Sequence, residues 1–226
     1  MAEPPRLYGL KALVTSAAAG IGEAVARTLV KHGATVLAVD SANSGVEQQF
    51  RGVKGVIPHA ANLRDATQMP EVAEEAVNAL GRIDILVNEF PVRPDAPLDD
   101  EDKAVGELVD VRAGLVTALC RAALPHLKKS PAGRIINIGF LRPLFSAKGS
   151  KAFAQTERDL AVITRTLAAE VGEFGITANY VQPGAIMTPA SRDVFRKDTS
   201  LRDHCIAHSA SQRLGEPVDV AKVVLF

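Results

Sequence analysis

The feature that most constrains this chain is a regular alternation of short apolar runs with longer segments of helical period. Runs such as LKALVTS, ATVLAVD, RIDILVN and GRIINIG are rich in Val, Ile and Leu and almost continuously apolar. Segments whose apolar residues recur at helical spacing, such as GIGEAVARTLVKHG, lie between them. Continuous apolar strands are typical of a parallel sheet that helices cover on both faces. The pattern therefore predicts an α/β fold with a doubly wound parallel sheet.

The length and composition are those of one globular domain. The chain has 26 basic and 26 acidic side chains, and no linker or repeat divides it, so we treat residues 1–226 as a single domain. A formal net charge of zero argues against nucleic acid as a partner, because nucleic-acid binders usually carry a basic excess. Neither a signal peptide nor an apolar run of membrane-spanning length is present, so we expect a cytoplasmic protein that does not bind membranes.

A glycine-containing turn, TSAAAGIG, joins the first predicted strand to the first helix. Gly20 and Gly22 are spaced so that the backbone can approach a diphosphate at the N-terminus of the helix. Ser16 stands where a third glycine is usual, and it is strained there if the turn requires a positive φ. Asp40 ends the second strand, where a carboxylate either binds the ribose hydroxyls of NAD in preference to NADP or merely caps the next turn. The turn therefore predicts a weakened NAD site.

The segment at about 188–212 differs from the rest because it is polar and has no clear period. A stretch of this length in a compact domain is usually a lid or a binding segment, and we interpret it as a lid over a substrate site. His204 and His208 lie four residues apart in it, but two imidazoles without a carboxylate partner are a weak metal signal. We interpret both as lid or surface residues and predict no metal site.

Several motifs run through the chain in a fixed order: TSAAAGIG, Asp40, ANLRD, IDILVN, GRIINIG, TRTLAAEVGEFGITANYVQPGAIMTP and RLGEPVDVA. Together they resemble the short-chain dehydrogenase/reductase family. The resemblance implies a Rossmann-like domain and an NAD site, with the family's last strand missing from residues 1–226. The residues that it implies for NAD binding are Ser16, Gly20, Ile21, Gly22 and Asp40 around the phosphates and ribose, Asn62 and Leu63 beside the adenine, Asn88 by the nicotinamide ribose, and Pro183, Gly184, Ile186 and Thr188 at the carboxamide.

The resemblance also identifies four positions that carry catalysis in the family, and none of them holds the family's residue. The family uses Asn, Ser, Tyr and Lys, where this chain has Arg112, Phe140, Phe153 and Glu157. Phe153 has no proton to exchange, and Glu157 would raise the pKa of a neighbouring phenol where the family's Lys lowers it. We therefore predict no catalytic residue. We also expect Arg112 and Glu157 to form a buried ion pair that fills the vacated pocket beside the two phenylalanines.

Two further features bear on the lost chemistry. The loop Asn88-Glu89-Phe90-Pro91 replaces the Asn-Asn-Ala-Gly usual in the family, so we expect bulky groups where small ones face the nicotinamide. The only tyrosines are Tyr8, which precedes the first strand, and Tyr180, which lies within the last predicted strand. We interpret Tyr180 as a packing residue rather than as a relocated catalytic group.

Two functions follow from these observations. The first is a pseudoenzyme that acts as a nucleotide sensor or as a subunit, in a homodimer or homotetramer or with an active relative, through the helices at about 101–128 and 151–173. The second is an NAD(H)-dependent oxidoreductase for a carbonyl or alcohol substrate, with relocated catalytic residues. The helical stripes that suggest assembly could instead pack only on the protein's own sheet; they comprise Val105, Leu108, Val109, Leu115, Val116, Leu119, Leu160, Ile163 and Leu167.

Overall fold

The fold is built on six parallel strands. A computed structural model describes residues 6–90, 103–139 and 150–226, with side chains described from residue 112 in the second range and from residue 155 in the third. The strands are β1 (Lys11–Thr15), β2 (Thr35–Asp40), β3 (Val56–Ala60), β4 (Ile85–Asn88), β5 (Arg134–Ile138) and β6 (Thr177–Val181). They form one sheet in the order β3-β2-β1-β4-β5-β6. This arrangement confirms the predicted α/β fold with a doubly wound parallel sheet.

The helices follow the strands as the apolar periodicity predicts. They are α1 (Gly20–Lys31), α2 (Val46–Gln49), α3 (Met69–Leu80), α4 (Lys103–Leu127), α5 (Ser150–Val171), α6 (Pro189–Lys197), α7 (Thr199–Ala207) and α8 (Pro217–Leu225). The helices predicted at about 101–128 and 151–173 correspond to α4 and α5. None of the helices in the described ranges is both long enough and apolar enough to cross a bilayer.

Two separate apolar clusters cover the two faces of the sheet, because successive side chains of a strand point to opposite faces. Leu13 of β1 belongs to the cluster under α3, α4 and α5, whereas Ala12 and Val14 belong to the cluster under α1 and α8. Both faces are therefore filled, and the edge formed by the carboxyl ends of the strands is where a ligand site can form.

The stripes of α4 and α5 face this core. Leu115, Val116 and Leu119 of α4 are buried in the cluster that α3, α4 and α5 share, as are Leu160 and Leu167 of α5. Ile163 is partly buried against the same cluster. The described part of the stripes thus packs on the protein's own sheet, and it leaves little apolar surface for a partner. Val105, Leu108 and Val109 lie outside the residues whose side chains are described.

The predicted lid segment contains two helices, α6 and α7, although its sequence shows no clear period. Both begin at side-chain caps: the Thr188 hydroxyl accepts from the Ser191 N–H at 3.1 Å, and the Asp198 carboxylate accepts from the first turn of α7. Phe195 is the buried residue of α6, and Cys205 is that of α7. One buried side chain per helix is too few to produce a readable apolar period, so the sequence did not predict these two helices. The interpretation of the segment as a lid stays a prediction.

Candidate functional site

The candidate site lies at the carboxyl ends of β1 and β4, where the strand order reverses. In open α/β sheets, ligands bind in the crevice at this switch point. Two hydrogen bonds join the strand ends there: the Thr15 hydroxyl donates to the Glu89 carbonyl at 2.6 Å, and the Glu89 N–H donates to the Thr15 Oγ1 at 3.0 Å. Glu89 is therefore held directly beside the turn that leads into α1.

The turn has the strain that its sequence predicts. Ser16 adopts a φ of +51°, in the left-handed region that a side chain disfavours, and Gly20 has a φ of +61°. A Cβ atom at Gly22 would collide with the backbone carbonyl of Ser16, so glycine is required there. The Ser16 hydroxyl is buried and forms no hydrogen bond of normal geometry with any described residue. The expectation that Ser16 occupies a position suited to glycine is confirmed.

The N-terminus of α1 is open to an acceptor from outside the helix. Ala19 is its N-cap and supplies no side-chain oxygen, whereas a helix start usually has such a cap. Ile21 and Gly22 lie in the first turn and are both buried. A helix N-terminus of this kind can bind an anion, and the resemblance implies a diphosphate there.

Asp40 is already hydrogen-bonded to the backbone around it. One carboxylate oxygen accepts from the Ala18 N–H at 2.9 Å, and the other accepts from the Ser41 N–H at 2.7 Å. Asp40 therefore stabilises the backbone of the two neighbouring turns, as the alternative interpretation of Asp40 as a capping residue proposed. Each oxygen of a carboxylate can accept a second hydrogen bond, so ribose hydroxyls can still bind here.

A surface cavity of about 660 Å³ opens beyond Asp40, at the carboxyl ends of β2 and β3. Its lining residues include Ser41, Asn62 and Arg64, and also His59 of β3. Leu63 does not line the cavity, because its side chain is buried in the core. Of the two residues expected beside an adenine, the structure thus brings only Asn62 to the cavity.

The segment after β6 reaches the turn through Thr188. The Thr188 side chain lies 3.6 Å from the point where a Cβ atom at Gly20 would stand. Ile186 pairs with Gly215 in an isolated parallel bridge, which anchors the segment to the chain before α8. Pro183 is buried, whereas Gly184 is exposed just after β6. The structure therefore brings Thr188 to the glycine turn, and its place at the carboxamide stays a prediction.

Asn88 faces the protein interior. Its amide Nδ2 donates to the Asn137 Oδ1 at 2.8 Å and lies 3.2 Å from the Cys120 sulfur. Burial raises the pKa of the Cys120 thiol to about 12. Phe90 is buried in the core cluster, so the expectation that it would face the nicotinamide was wrong. Pro91 lies outside the described residues.

The expected ion pair is present between α4 and α5. Arg112 and Glu157 are 5% and 8% exposed, and the Arg112 Nη1 lies 2.8 Å from the Glu157 Oε1. The Arg112 Nη2 donates to the carbonyl of Ile138, the last residue of β5, at 2.7 Å. These contacts confirm the predicted buried pair. The side chains of Phe140 and Phe153, expected beside it, lie outside the described residues.

Tyr180 joins this cluster from β6. Its hydroxyl donates to the Glu157 Oε2, so the interpretation of Tyr180 as a packing residue was incomplete. Burial, together with the hydrogen bond and the negative charge of Glu157, raises the Tyr180 pKa. A Cβ atom at Gly139 would collide with both the Glu157 carboxylate and the Tyr180 hydroxyl. We refer below to Arg112, Glu157 and Tyr180 as the buried cluster.

Glu89 is a functional candidate that our interpretation of the sequence missed. Burial raises the pKa of its carboxyl to about 7, and the negative charge of Asp40 adds to this effect. The positive charge of Arg112 and the Ser16 hydroxyl act in the opposite direction. A charged residue directly after a buried strand at the switch point was the available signal.

The described residues contain no group of three or more His, Cys, Asp or Glu side chains that could hold a metal ion. His204 and His208 stack with ring centroids 4.0 Å apart, and both are exposed. Among the described contacts, the His208 Nδ1 donates to the His204 carbonyl at 2.9 Å. Their interpretation as surface residues agrees with this exposure.

We predict that Ser16→Gly gives a more stable protein than Ser16→Ala, by about 1 kcal/mol in the free energy of unfolding. Both changes remove the unpartnered hydroxyl, but only glycine relieves the backbone at a φ of +51°. Urea unfolding of the two variants measures the difference. Equal stabilities would mean that the turn is not strained.

Comparison with known proteins identifies the family. A family profile described as enoyl-(acyl carrier protein) reductase matches residues 16–226. The chain is 31% identical to a 3-oxoacyl-(acyl-carrier-protein) reductase of Thermotoga maritima, over 98% of this chain and 91% of that protein. It is 28% identical to an L-fucose dehydrogenase of Mus musculus, over 100% of this chain and 84% of that protein.

The fold has a close structural counterpart. A crystal structure of a candidate gluconate dehydrogenase from Agrobacterium tumefaciens superposes with a TM-score of 0.86 at 24% identity, over 100% of this chain and 90% of that one. At this identity the likeness concerns the fold alone. The sequence matches over nearly the whole chain, together with the six-stranded parallel sheet, show that the chain belongs to the short-chain dehydrogenase/reductase family.

Proposed function

We propose that this chain is a non-catalytic member of its family, a pseudoenzyme that acts as a nucleotide-sensing protein or as a subunit of an assembly. The observation that carries the proposal is the buried cluster. Arg112 and Glu157 occupy two of the four positions that the resemblance assigns to catalysis, and they are paired with each other at 2.8 Å. Both side chains are thus engaged in a contact that excludes substrate from the space between them.

The proton chemistry of the cluster supports the same conclusion. A catalytic acid or base must change its protonation state near the working pH. The Tyr180 hydroxyl instead stays protonated near neutral pH, because burial and the Glu157 carboxylate raise its pKa. Glu157 accepts hydrogen bonds from both Arg112 and Tyr180, so its carboxylate oxygens are engaged within the cluster. The cluster is therefore poorly suited to exchanging a proton with a carbonyl or an alcohol.

The alternative is an NAD(H)-dependent oxidoreductase with relocated residues. It is favoured by the relatives, which are named as reductases and dehydrogenases and match nearly the whole chain. In that case Tyr180 would be the tyrosine available at the site, since Tyr8 precedes β1 and is 77% exposed. The raised pKa of Tyr180 weighs against this assignment. We therefore place the oxidoreductase second.

We further propose that NAD is the nucleotide sensed. The open N-terminus of α1, the close approach at Gly22 and the cavity beside Asn62 support a site for the adenosine diphosphate half. Asp40 would accept from the ribose hydroxyls, and a carboxylate there opposes the additional phosphate of NADP. NAD supplies hydride-transfer chemistry when it is bound; the residues at the other end of the site are those of the buried cluster.

Assembly through α4 and α5 is the remaining part of the proposal. The apolar stripes are occupied by the core, so contact with a second copy or an active relative would use the outer faces of these helices. Val162 of α5 is 50% exposed, and Gly114 is an exposed small residue of α4. Small residues allow two helices to approach closely. Sedimentation equilibrium of wild type and Val162→Asp tests this face.

Titration of NAD and NADH against the purified chain, followed by thermal unfolding and by turnover, tests the proposed function. A ligand that binds only the folded state adds about 2.7 kcal/mol of stability at one hundred times its Kd. We expect stabilisation without turnover on a panel of ketones and alcohols. Turnover by the chain alone would contradict the pseudoenzyme proposal. If neither nucleotide stabilises the chain, nucleotide sensing is excluded and only the proposed role in assembly remains.

The buried ion pair should be energetically coupled. Arg112→Met leaves the Glu157 carboxylate without its guanidinium, and we expect a loss of about 3–5 kcal/mol in the free energy of unfolding. The double variant Arg112→Met/Glu157→Leu should recover most of this loss, because no charge then remains buried. Urea unfolding measures both.

Arg196→Met is the matched control, because Arg196 pairs with Asp193 on the surface at 72% side-chain exposure. Its unfolding midpoint should stay close to that of wild type. Losses in the two single variants Arg112→Met and Glu157→Leu that simply add in the double variant would show that the pair is not coupled.

Restoring the family's tyrosine should not restore activity. Phe153→Tyr places a phenol one helical turn before Glu157, whose negative charge opposes formation of a phenolate. We expect no NADH oxidation above background with a ketone panel. Turnover should require the combined change Arg112→Asn, Phe140→Ser, Phe153→Tyr and Glu157→Lys. Measurable rates from Phe153→Tyr alone would show that the remaining site is intact.

A further inference from the structure

Two histidines lie close together on the exposed face of α7. His204 and His208 are four residues apart, which places them one turn from each other on the same side of a helix. Their ring centroids are 4.0 Å apart, and the ring planes differ by 30°. Both side chains are exposed, whereas Cys205 is the buried residue of this helix. The two rings thus stack on the solvent side of α7.

The ring of His208 has a fixed orientation and a fixed tautomer. Its backbone N–H and its ring Nδ1 both donate to the His204 carbonyl, at 3.0 and 2.9 Å. A carbonyl oxygen can only accept a hydrogen bond, so the Nδ1 of His208 carries a proton. In the neutral imidazole the free lone pair is then on Nε2, and no contact with a described residue uses it. His208 therefore presents an unprotonated nitrogen to the solvent.

This hydrogen bond is of the kind that histidine ligands of metal ions make. A metal-binding imidazole usually donates its other ring N–H to a carboxylate, a backbone carbonyl or water, which orients the ring and raises its basicity. In the sequence the pair was a weak metal signal, because it has no carboxylate partner. In the structure the His204 carbonyl orients His208 in place of a carboxylate. Two histidines at this spacing on one helix face are also the ligand pair of helical zinc motifs.

The separation of the rings is suited to a shared ion. Two nitrogens that bind a tetrahedral metal ion at about 2.1 Å lie about 3.4 Å from each other. With the ring centroids 4.0 Å apart, a small change in the side-chain torsions brings both Nε2 atoms to one ion.

The charges near the pair do not oppose a cation. His204 lies in the last turn of α7 and His208 is its C-cap, and the carbonyl end of a helix carries a partial negative charge. The neighbouring Arg202 and Asp203 pair with each other at 2.8 Å, so together they add no net charge.

We propose that His204 and His208 form a binding site for one divalent transition-metal ion, with water in the remaining coordination positions. Imidazole nitrogen is a ligand for Zn²⁺, Ni²⁺ and Cu²⁺, whereas Mg²⁺ and Ca²⁺ require oxygen ligands. The site shares no residue with the glycine turn or the buried cluster, so it does not depend on the proposed function. A bound ion would fix the end of α7 within the predicted lid segment.

Calorimetric titration of the untagged, EDTA-treated protein with Ni²⁺ and with Zn²⁺ tests the site. We expect one ion to bind per chain, and no binding of Mg²⁺. His204→Gln and His208→Gln each remove one of the two ligands. Each should lower the affinity for both ions at least about tenfold, because the loss of a partner that only orients a ligand already has an effect of this size.

His32→Gln is the matched control. His32 ends α1 as His208 ends α7: it is the C-cap, and its ring Nδ1 donates to the Thr28 carbonyl at 2.9 Å. The residue four positions earlier is a threonine, however, so His32 has no second imidazole beside it. His32→Gln therefore removes the same hydrogen bond without removing a pair of ligands. It should bind Ni²⁺ and Zn²⁺ as tightly as wild type.

NMR spectroscopy locates the ion directly, because paramagnetic Ni²⁺ broadens the signals of nearby nuclei. At substoichiometric Ni²⁺ the ring C–H signals of His204 and His208 should broaden, while those of His32, His59 and His126 keep their width. Binding that both single variants retain in full would overturn the proposal. Broadening that begins at another histidine, or no binding of either ion at millimolar concentration, would also overturn it. None of these results bears on nucleotide binding, so the proposed function is tested separately.

Discussion

The contact between Arg112 and Glu157 determines what this site can do. It joins α4 to α5 in the space where the family's chemistry would take place, and it is connected to β5 through the Ile138 carbonyl and to β6 through Tyr180. A buried ion pair requires both partners, because either charge alone would be left unsolvated in the interior. The side chains of Arg112 and Glu157 thus connect α4, α5, β5 and β6. A group that acts on a substrate would instead have to be free to contact it.

The two ends of the site have changed in different ways. At the nucleotide end the backbone geometry is kept, including the close approach at Gly22, while side-chain chemistry has been altered by Ser16 and Glu89. At the other end, Arg112 and Glu157 stand at two positions that the resemblance assigns to catalysis, and they are paired with each other. Together these two ends are the basis of the proposal that the chain detects a ligand rather than transforming it.

The strands and the long helices could be predicted from the apolar period of the sequence. The buried pair could be predicted because the spacing from the family's motifs assigns both of its residues to one pocket. The hydrogen bond of Tyr180 to Glu157 and the burial of Phe90 were not predicted, since the sequence at a strand end does not indicate which side chain points inward. The helices α6 and α7 were missed for a related reason: caps at Thr188 and Asp198 define them more than burial does.

The mutual dependence of the buried charges has an evolutionary consequence. A lysine at position 157 would place a second cation against Arg112, and an asparagine at position 112 would leave the Glu157 carboxylate without its cation. A side chain at Gly139 would clash with the cluster as well. A single step back toward the family's residue at either position 112 or position 157 thus passes through a less stable protein. Under the proposed function, these two residues therefore have to change together.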